Sequence, residues 1–168
     1  RTYNETYRDK NLDRIAFPIG GLGAGMICLE GTGAFSHVSV RNSPDVFNEP
    51  LMFAALAVKG IESGARILEG PLPTWKYYGR PNTARGGERT SYGLPRFEQV
   101  DFTARFPFST LHLSDQHIPV EVKMTGWSPF IPTESDESSL PVGAVEYTFK
   151  NTGKSNLEAV FSFHSVNF

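Results

Sequence analysis

The sequence predicts an all-β fold, an antiparallel β-sandwich, and three observations support it. Aromatic residues make up 12% of the 168 residues, and Phe and Tyr are common in strands. The 16 Gly and 12 Pro provide turns at short intervals along the chain. Several segments alternate apolar and polar residues, a pattern typical of strands that are buried on one face.

Two strands are predicted in the first third of the chain, at residues 34–40 and 51–59. Both are rich in Phe, Val and small apolar residues, and neither has the long 3.6-residue period of a surface helix. Residues 70–95 are dense in Gly, Pro, Arg and Tyr, so they cannot hold a regular strand ladder for long. We therefore expect a long surface loop there.

The second half of the chain contains the clearest strand, at residues 99–108. A turn at 114–117 separates it from a second alternating segment at 119–125, and the two segments are expected to pair. Further strands are predicted at 143–149 and 157–164. The core between the sheets should contain the residues in the inward phase of these strands: Phe102, Phe106, Phe108, Val122, Phe161 and Phe163. The last strand pattern continues to Phe168, so the sandwich is expected to be truncated at its C-terminal end.

Charge and composition exclude several kinds of partner. The 16 basic and 18 acidic residues give a net charge of -2, which provides no basic surface for nucleic acid. No segment approaches the roughly 20 apolar residues of a transmembrane helix. The single Cys28 lies in an apolar run and is expected to be a small buried side chain. Without a disulfide framework, the cellular compartment stays open: cytoplasmic, or exported after removal of a signal peptide.

A glycine-rich segment at residues 19–26 could suggest a nucleotide-binding loop, because glycines let backbone amides approach phosphate. The spacing does not fit. Counting from Gly21 and Gly23, the third glycine of a dinucleotide-binding motif should fall at position 26, which is Met26. The segment is therefore interpreted as a β-bulge or a tight loop, and no cofactor is predicted.

No catalytic or metal-binding residues are predicted. Asp45 and Glu49 are the closest pair of loop carboxylates, but they lie in a turn-rich stretch where such residues commonly bind backbone groups. The four histidines lack the spacing of metal ligands. No Gly-x-Ser-x-Gly sequence marks a nucleophilic serine.

Five residues are candidates for substrate binding or for contact with another domain. His37, Arg41 and Asn42 end an alternating strand just before a Pro-containing turn, a usual place for binding groups on a rigid scaffold. Trp127 and Ser128 lie in a similar position after a later strand. For each of these residues, simple packing or turn formation is an alternative.

Four segments resemble a known family, and they occur in the family's order. They are IAFPIGGLGAG at 15–25, FSHVSVRN at 35–42, TGWSPFIP at 125–132 and SSLPV at 138–142. From about Asn11 to Phe168 the chain is similar to the N-terminal domain of the bile-acid β-glucosidase or non-lysosomal glucosylceramidase family, glycoside hydrolase family 116. The resemblance implies an N-terminal β-sandwich of the glycoside hydrolase supersandwich type, packed on a C-terminal barrel of α-helical hairpins.

The resemblance also implies that the intact enzyme cleaves β-glucosides or related carbohydrates with retention of configuration. In that family the nucleophilic Glu and the acid/base Asp belong to the helical domain, and no position in this chain matches their motifs. Residues 1–168 are therefore expected to be a non-catalytic segment that supports and lines the active site of a helical catalytic domain downstream. Two alternatives remain: a stand-alone carbohydrate-binding sandwich, suggested by Trp75, Tyr77, Tyr78 and Trp127, and a purely structural module.

Overall fold

The computed structural model describes residues 5–45, 48–77 and 91–166, and in this part of the chain the fold is all-β. Ten strands form three antiparallel sheets, and helical structure is limited to short turns at Asp9–Leu12, Thr74–Tyr77 and Ser135–Ser138. In chain order the strands are β1 (Ala16–Ile19), β2 (Met26–Glu30), β3 (Phe35–Ser39), β4 (Met52–Val58), β5 (Ala65–Ile67), β6 (Gln99–Arg105), β7 (Phe108–Asp115), β8 (Ile118–Trp127), β9 (Ala144–Asn151) and β10 (Ala159–Ser165).

All neighbouring strands are antiparallel, and every neighbouring pair except β10 and β4 is consecutive in the chain. The first sheet has the order β1-β2-β3 and the largest has the order β6-β7-β8-β9. The remaining sheet has the order β10-β4-β5, so β10 returns from the end of the chain to pair with β4 over its whole length. The apolar inward faces of all three sheets meet in one hydrophobic core. This confirms the predicted sandwich-type, all-β class.

The strand β8 shows why the period-two pattern is informative. Ile118, Val120, Val122 and Met124 are buried, while the intervening Glu121 and Lys123 face solvent. Alternation places successive side chains on opposite faces, so the apolar set enters the core as a group. The predicted strands at 34–40, 51–59, 119–125 and 143–149 all correspond to observed strands.

The predicted strand at 99–108 was wrong at its C-terminal end. The chain turns at Phe106 and Pro107, and Arg105 pairs with Phe108 across that turn. Proline has no N–H for a ladder hydrogen bond, so it ends the strand there. A new strand, β7, begins at Phe108 and lies between β6 and β8, so the predicted direct pairing of 99–108 with 119–125 was also wrong.

The predicted core was correct for Phe102 and Val122, which are buried, and wrong for the other four residues. Phe106 lies in the turn and is 52% exposed. Phe108 faces solvent because β7 starts a new phase, in which Ser109, Leu111 and Leu113 are buried.

Phe161 and Phe163 of β10 have the predicted inward phase but remain half-exposed. They pair with the buried residues Leu56 and Ala54 of β4, and Phe161 packs against the rings of Tyr147 and Phe149. Within the described residues, β10 is an edge strand of its sheet and β9 is an edge strand of the opposite sheet. Each of these two strands therefore has a neighbouring strand on one side only, and its inward side chains stay partly exposed.

Part of the segment 70–95, predicted as a surface loop, lies outside the described residues. Tyr78 and the Arg/Gly-rich residues 79–90 belong to that part. The flanking residues 74–77 form a single helical turn, and Tyr92 lies in a turn after the gap. Cys28 is buried, as predicted, and burial raises the pKa of its thiol to about 11, with a smaller contribution from the charge of Glu30.

A candidate binding surface at the glycine-loop end

The loop between β1 and β2, residues 20–25, is a tight turn that depends on glycine, as the sequence predicts. The Ala24 N–H donates to the Gly21 carbonyl oxygen at 3.1 Å. Gly23 and Gly25 have φ of +74° and +100°, a conformation that glycine adopts without steric cost. We call residues 20–25 the glycine loop.

The glycine loop contacts three other segments at close range. The Gly20 N–H donates to Ser128 Oγ at 3.1 Å, and the Leu22 N–H donates to the Ser138 carbonyl oxygen at 2.8 Å. A Cβ on Gly25 would lie 2.5 Å from the Ser39 carbonyl oxygen, closer than real side chains allow. The loop therefore links the end of β3, the end of β8 and the segment that follows β8.

Arg41 and Asn42 form the turn just after β3. Both have φ of +56°, and the Ser43 N–H donates to the Val40 carbonyl oxygen at 3.0 Å. Positive φ at both central positions is the geometry of a type I′ turn, which favours Asn and Gly. Asn42 suits this turn, whereas Arg41 adopts it at a steric cost. Both side chains are exposed.

Trp127 is the last residue of β8, and Ser128 follows it and contacts the glycine loop. Trp127 is half-buried and pairs with Phe108 on one side and with Ala144 on the other. Ser128 is only 4% exposed; its hydroxyl accepts the hydrogen bond from Gly20, and its N–H donates to the Pro107 carbonyl oxygen. Ser128 is thus engaged in internal contacts that fix the glycine loop to β8.

Large apolar side chains are exposed at this same end. Phe106 and Phe130 pack edge to face with ring centroids 4.9 Å apart, next to the Pro107–Ser128 contact. Other exposed apolar residues lie on the glycine loop and on the segment that it contacts. We define the loop-end surface by the six residues Leu22, Phe106, Phe130, Ile131, Leu140 and Val142. Groups of large exposed apolar residues commonly mark an interaction site.

Sequence reasoning missed the loop-end surface. Four of its residues lie in the segment 130–142 that follows β8, and none of them was among the candidate residues. The signal that could have revealed them is the presence of large apolar residues in a segment with no strand alternation, where no core face is available to bury them.

An apolar cavity of about 470 Å³ lies beside the glycine loop. Its walls include the loop backbone, Val40 before the Arg41–Asn42 turn, and the half-exposed rings of Phe161 and Phe163. The cavity therefore continues from the glycine loop to the edge strands β9 and β10. Its lining carries few polar groups that could orient a sugar.

The candidate carboxylate Glu49 lies in a buried ionic network. Lys76 Nζ is 2.7 Å from Glu49 Oε1 and 2.6 Å from Glu30 Oε2, and the Tyr92 hydroxyl donates to Glu49 Oε2. Lys76 is almost completely buried. Asp45 lies in the turn region after β3, where its N–H donates to Ser39 Oγ. Glu49 is thus held by Lys76 and Tyr92 and serves the fold.

The electrostatics of this network follow from burial and charge. Burial alone lowers the pKa of Lys76, but the carboxylates of Glu30 and Glu49 more than offset it, so its pKa is raised. Burial and the Glu49 carboxylate raise the pKa of Tyr92. Burial raises the pKa of Glu69 to about 7, although Arg96, at 3.1 Å, acts against that rise. Sequence spacing could not reveal this network, because its members come from distant parts of the chain.

The aromatic residues that suggested a stand-alone sugar-binding module have mixed surroundings. The Trp75 indole N–H donates to the Asp13 carbonyl oxygen at 2.9 Å, and the Arg14 guanidinium lies 4.2 Å from the ring centre. Trp75 is therefore held by internal contacts, whereas Tyr77 is exposed. No helix in residues 5–45, 48–77 and 91–166 is both long and apolar enough to cross a membrane.

Comparison with known proteins gives one family. The family described as beta-glucosidase 2, glycosyl-hydrolase family 116 N-term, matches residues 16–168. No curated protein matches the chain. The matched range contains the glycine loop, all five candidate residues and the whole loop-end surface.

Proposed function

This chain belongs to the N-terminal domain family of glycosyl-hydrolase family 116, and on that premise we propose that it forms the non-catalytic N-terminal segment of a retaining β-glucosidase. In this proposal the chain supports and lines the active site of a helical catalytic domain. The carbohydrate substrate is bound by the intact enzyme, with Arg41, Asn42 and Trp127 at the junction of the two domains.

The observation that carries this proposal is the loop-end surface. Its exposed apolar residues lie at the end of the sandwich where the glycine loop meets β8 and the turn after β3. Such a surface is costly to leave in water and is suited to packing against another domain. Binding clefts commonly form at domain junctions, so exposed polar groups beside the surface are in a favourable place to reach a substrate. Ser128 supports this arrangement by fixing the glycine loop.

The buried network supports assigning the chemistry to another domain. Retaining glycosidases need a nucleophilic carboxylate and an acid/base carboxylate about 5 to 5.5 Å apart across the substrate. Glu49 and Glu30 instead share the ammonium group of Lys76, and Glu30 is buried. A carboxylate held in this way is poorly placed to attack an anomeric carbon.

The proposal is tested by kinetics of the intact glycosyl hydrolase with an aryl β-glucoside. Trp127→Ala and Arg41→Ala should lower kcat/KM, and a loss confined to KM would indicate binding shared by ground and transition states. Phe130→Ser should lower the thermal midpoint of the intact protein, because it weakens packing between the domains. Lys123→Ala, on the solvent face of β8, serves as the control and should change neither property.

Two outcomes would contradict the proposal. If Trp127→Ala, Arg41→Ala and Phe130→Ser all keep wild-type kinetics and thermal unfolding, the glycine-loop end neither lines the active site nor contacts the catalytic domain. If residues 1–168 alone hydrolyse the β-glucoside, and Glu49→Gln abolishes that activity, the catalytic carboxylates were assigned to the wrong domain.

A further inference from the structure

His37 has a strained backbone in the middle of a strand. Its φ is +53°, in the left-handed region that only a few per cent of non-glycine residues adopt, among them Asn, Asp and His more often than others. The cause is a β-bulge, in which His37 and Val38 of β3 both lie opposite the single residue Ile27 of β2. Glycine usually occupies the left-handed position of such a bulge. His37 therefore occupies, at some backbone strain, a position that glycine would occupy without strain.

Asn48 holds the bulge in place with three hydrogen bonds. The His37 N–H donates to the Asn48 carbonyl oxygen at 2.8 Å, and the Val38 N–H donates to Asn48 Oδ1 at 2.6 Å. Asn48 Nδ2 in turn donates to the Val38 carbonyl oxygen at 3.0 Å. The Asn48 side chain thus replaces the backbone partner that a neighbouring strand would provide. Asn48, which lies beyond the turn that follows β3, therefore fixes the strained conformation of His37.

The imidazole ring is also held from one side. Ser36 Oγ lies 2.6 Å from His37 Nδ1, and Ser36 is completely buried, so this contact restricts rotation of the ring. His37 itself is only partly buried. Among the described residues, Nε2 has no hydrogen-bond partner. One ring nitrogen is engaged by the fold and the other is left for a contact outside it.

We propose that His37 is a carbohydrate-binding residue that presents Nε2 to a sugar hydroxyl, and that Asn48 is its positioning residue. The inference rests on the proposed function. β-Bulges occur next to active sites, where they re-aim a side chain, and backbone strain persists where the surrounding structure enforces it. A hydroxyl both donates and accepts a hydrogen bond, so it pairs with Nε2 whichever ring nitrogen carries the proton.

The first test is His37→Gly in the intact glycosyl hydrolase. Glycine relieves the strained φ, but it also removes the partner of the buried Ser36 hydroxyl and frees the unfolded chain, so the thermal midpoint should fall only modestly. The value of kcat/KM for an aryl β-glucoside should fall about three- to tenfold, as expected for one lost hydrogen bond between uncharged groups. Ser63→Gly is the matched control: Ser63 has φ of +54° in the turn between β4 and β5, and its replacement should relieve similar strain without kinetic loss.

The second test isolates the positioning role. Asn48→Ala should lower kcat/KM in the wild-type background but cause no further loss when combined with His37→Gly, because Asn48 acts through His37. Additive losses would overturn the positioning role. Wild-type kinetics of His37→Gly would show that the ring contacts no substrate and would overturn the binding role.

A third readout separates this inference from the proposed function. Titration of the intact protein with methyl β-D-glucoside should shift the imidazole nitrogen resonances of His37, whether or not the sugar is turned over. If these resonances shift while the Trp127 and Arg41 variants behave as wild type, the proposed role of those residues fails and the His37 site stands. If the Trp127 and Arg41 variants lose activity and the His37 resonances stay unchanged at saturating glucoside, only the His37 site fails.

Discussion

At the scale of single residues, Lys76 is a charged side chain held in the interior of the fold. Its ammonium group is removed from water and is stabilised by two carboxylates, Glu30 and Glu49. Glu49 also accepts a hydrogen bond from Tyr92, so one carboxylate contacts residues on both sides of the 78–90 segment. A buried ion pair stabilises a protein little more than well-packed apolar residues in its place would. Removal of only one partner, however, leaves an uncompensated charge in the interior and is strongly destabilising.

Lys76→Met is therefore predicted to destabilise the protein by about 3 to 5 kcal/mol, because two carboxylates lose their cation in a buried site. Urea unfolding measures this loss. The control is Lys59→Met, which breaks the exposed ion pair with Glu158 and should cost only about 0 to 1 kcal/mol. Equal effects of the two substitutions would mean that the Lys76 network is not buried in solution.

At the scale of the strands, the sequence predicted the alternation well and the turns poorly. β8 was predicted from an unbroken pattern of Val and Met between charged residues, and its burial follows that pattern. The boundary between β6 and β7 was missed because Phe106 and Phe108 continue the apolar spacing of β6 across Pro107. The prediction followed the apolar spacing and gave too little weight to Pro107. In the structure, the missing N–H of that proline ends the strand.

The strand phase is tested by comparing two phenylalanines. Phe102→Ala should cost about 3 to 5 kcal/mol, because Phe102 is fully buried between the sheets. Phe106→Ala should cost far less, about 1 kcal/mol or under, since its ring is exposed in the turn and packs mainly on Phe130. Urea unfolding of both variants gives the two values. A larger loss for Phe106→Ala would place the end of β6 in the core after all.

At the scale of the whole molecule, the sequence predicted the fold class and the family but not how the three sheets share a core. β10 is last in the chain and pairs with β4, about a hundred residues earlier. When two paired strands are so far apart in the sequence, neither strand carries a pattern that predicts its partner. The candidate residues His37, Arg41, Asn42, Trp127 and Ser128 were singled out because each follows or lies in a well-patterned strand, and their binding role stays a prediction. The bulge at His37 and the network around Lys76 depend on contacts that no spacing encodes.

The pH dependence of global stability is predicted to depend on Glu69. Its pKa is raised from 4.5 to about 7, chiefly by burial, so between these values the folded protein holds a proton that the unfolded chain releases. This contribution to the free energy of unfolding is most favourable at and below pH 4.5, and it declines as the pH rises to about 7. At about 1.4 kcal/mol per pKa unit, the decline amounts to about 3 to 4 kcal/mol at most.

Glu69→Gln removes this titration and provides the test. The difference in unfolding free energy, wild type minus Glu69→Gln, should become less favourable to the wild type between pH 4.5 and pH 7.5. Glu121→Gln, which alters an exposed pair with Lys150, should show no such trend. A wild-type-minus-Glu69→Gln difference that is constant with pH would mean that Glu69 titrates alike in the folded and unfolded states.

The glycine loop has a mechanical consequence. Two of its contacts join peptide unit to peptide unit: Leu22 to Ser138 by a hydrogen bond, and Gly25 to Ser39 by close approach. A side chain can change rotamer and absorb a small displacement, whereas abutting peptide units cannot. A displacement of the segment after β8 is therefore passed through the loop to the end of β3. The loop therefore couples the two sides of this end of the sandwich mechanically. The two sides should shift together when a partner binds to either one.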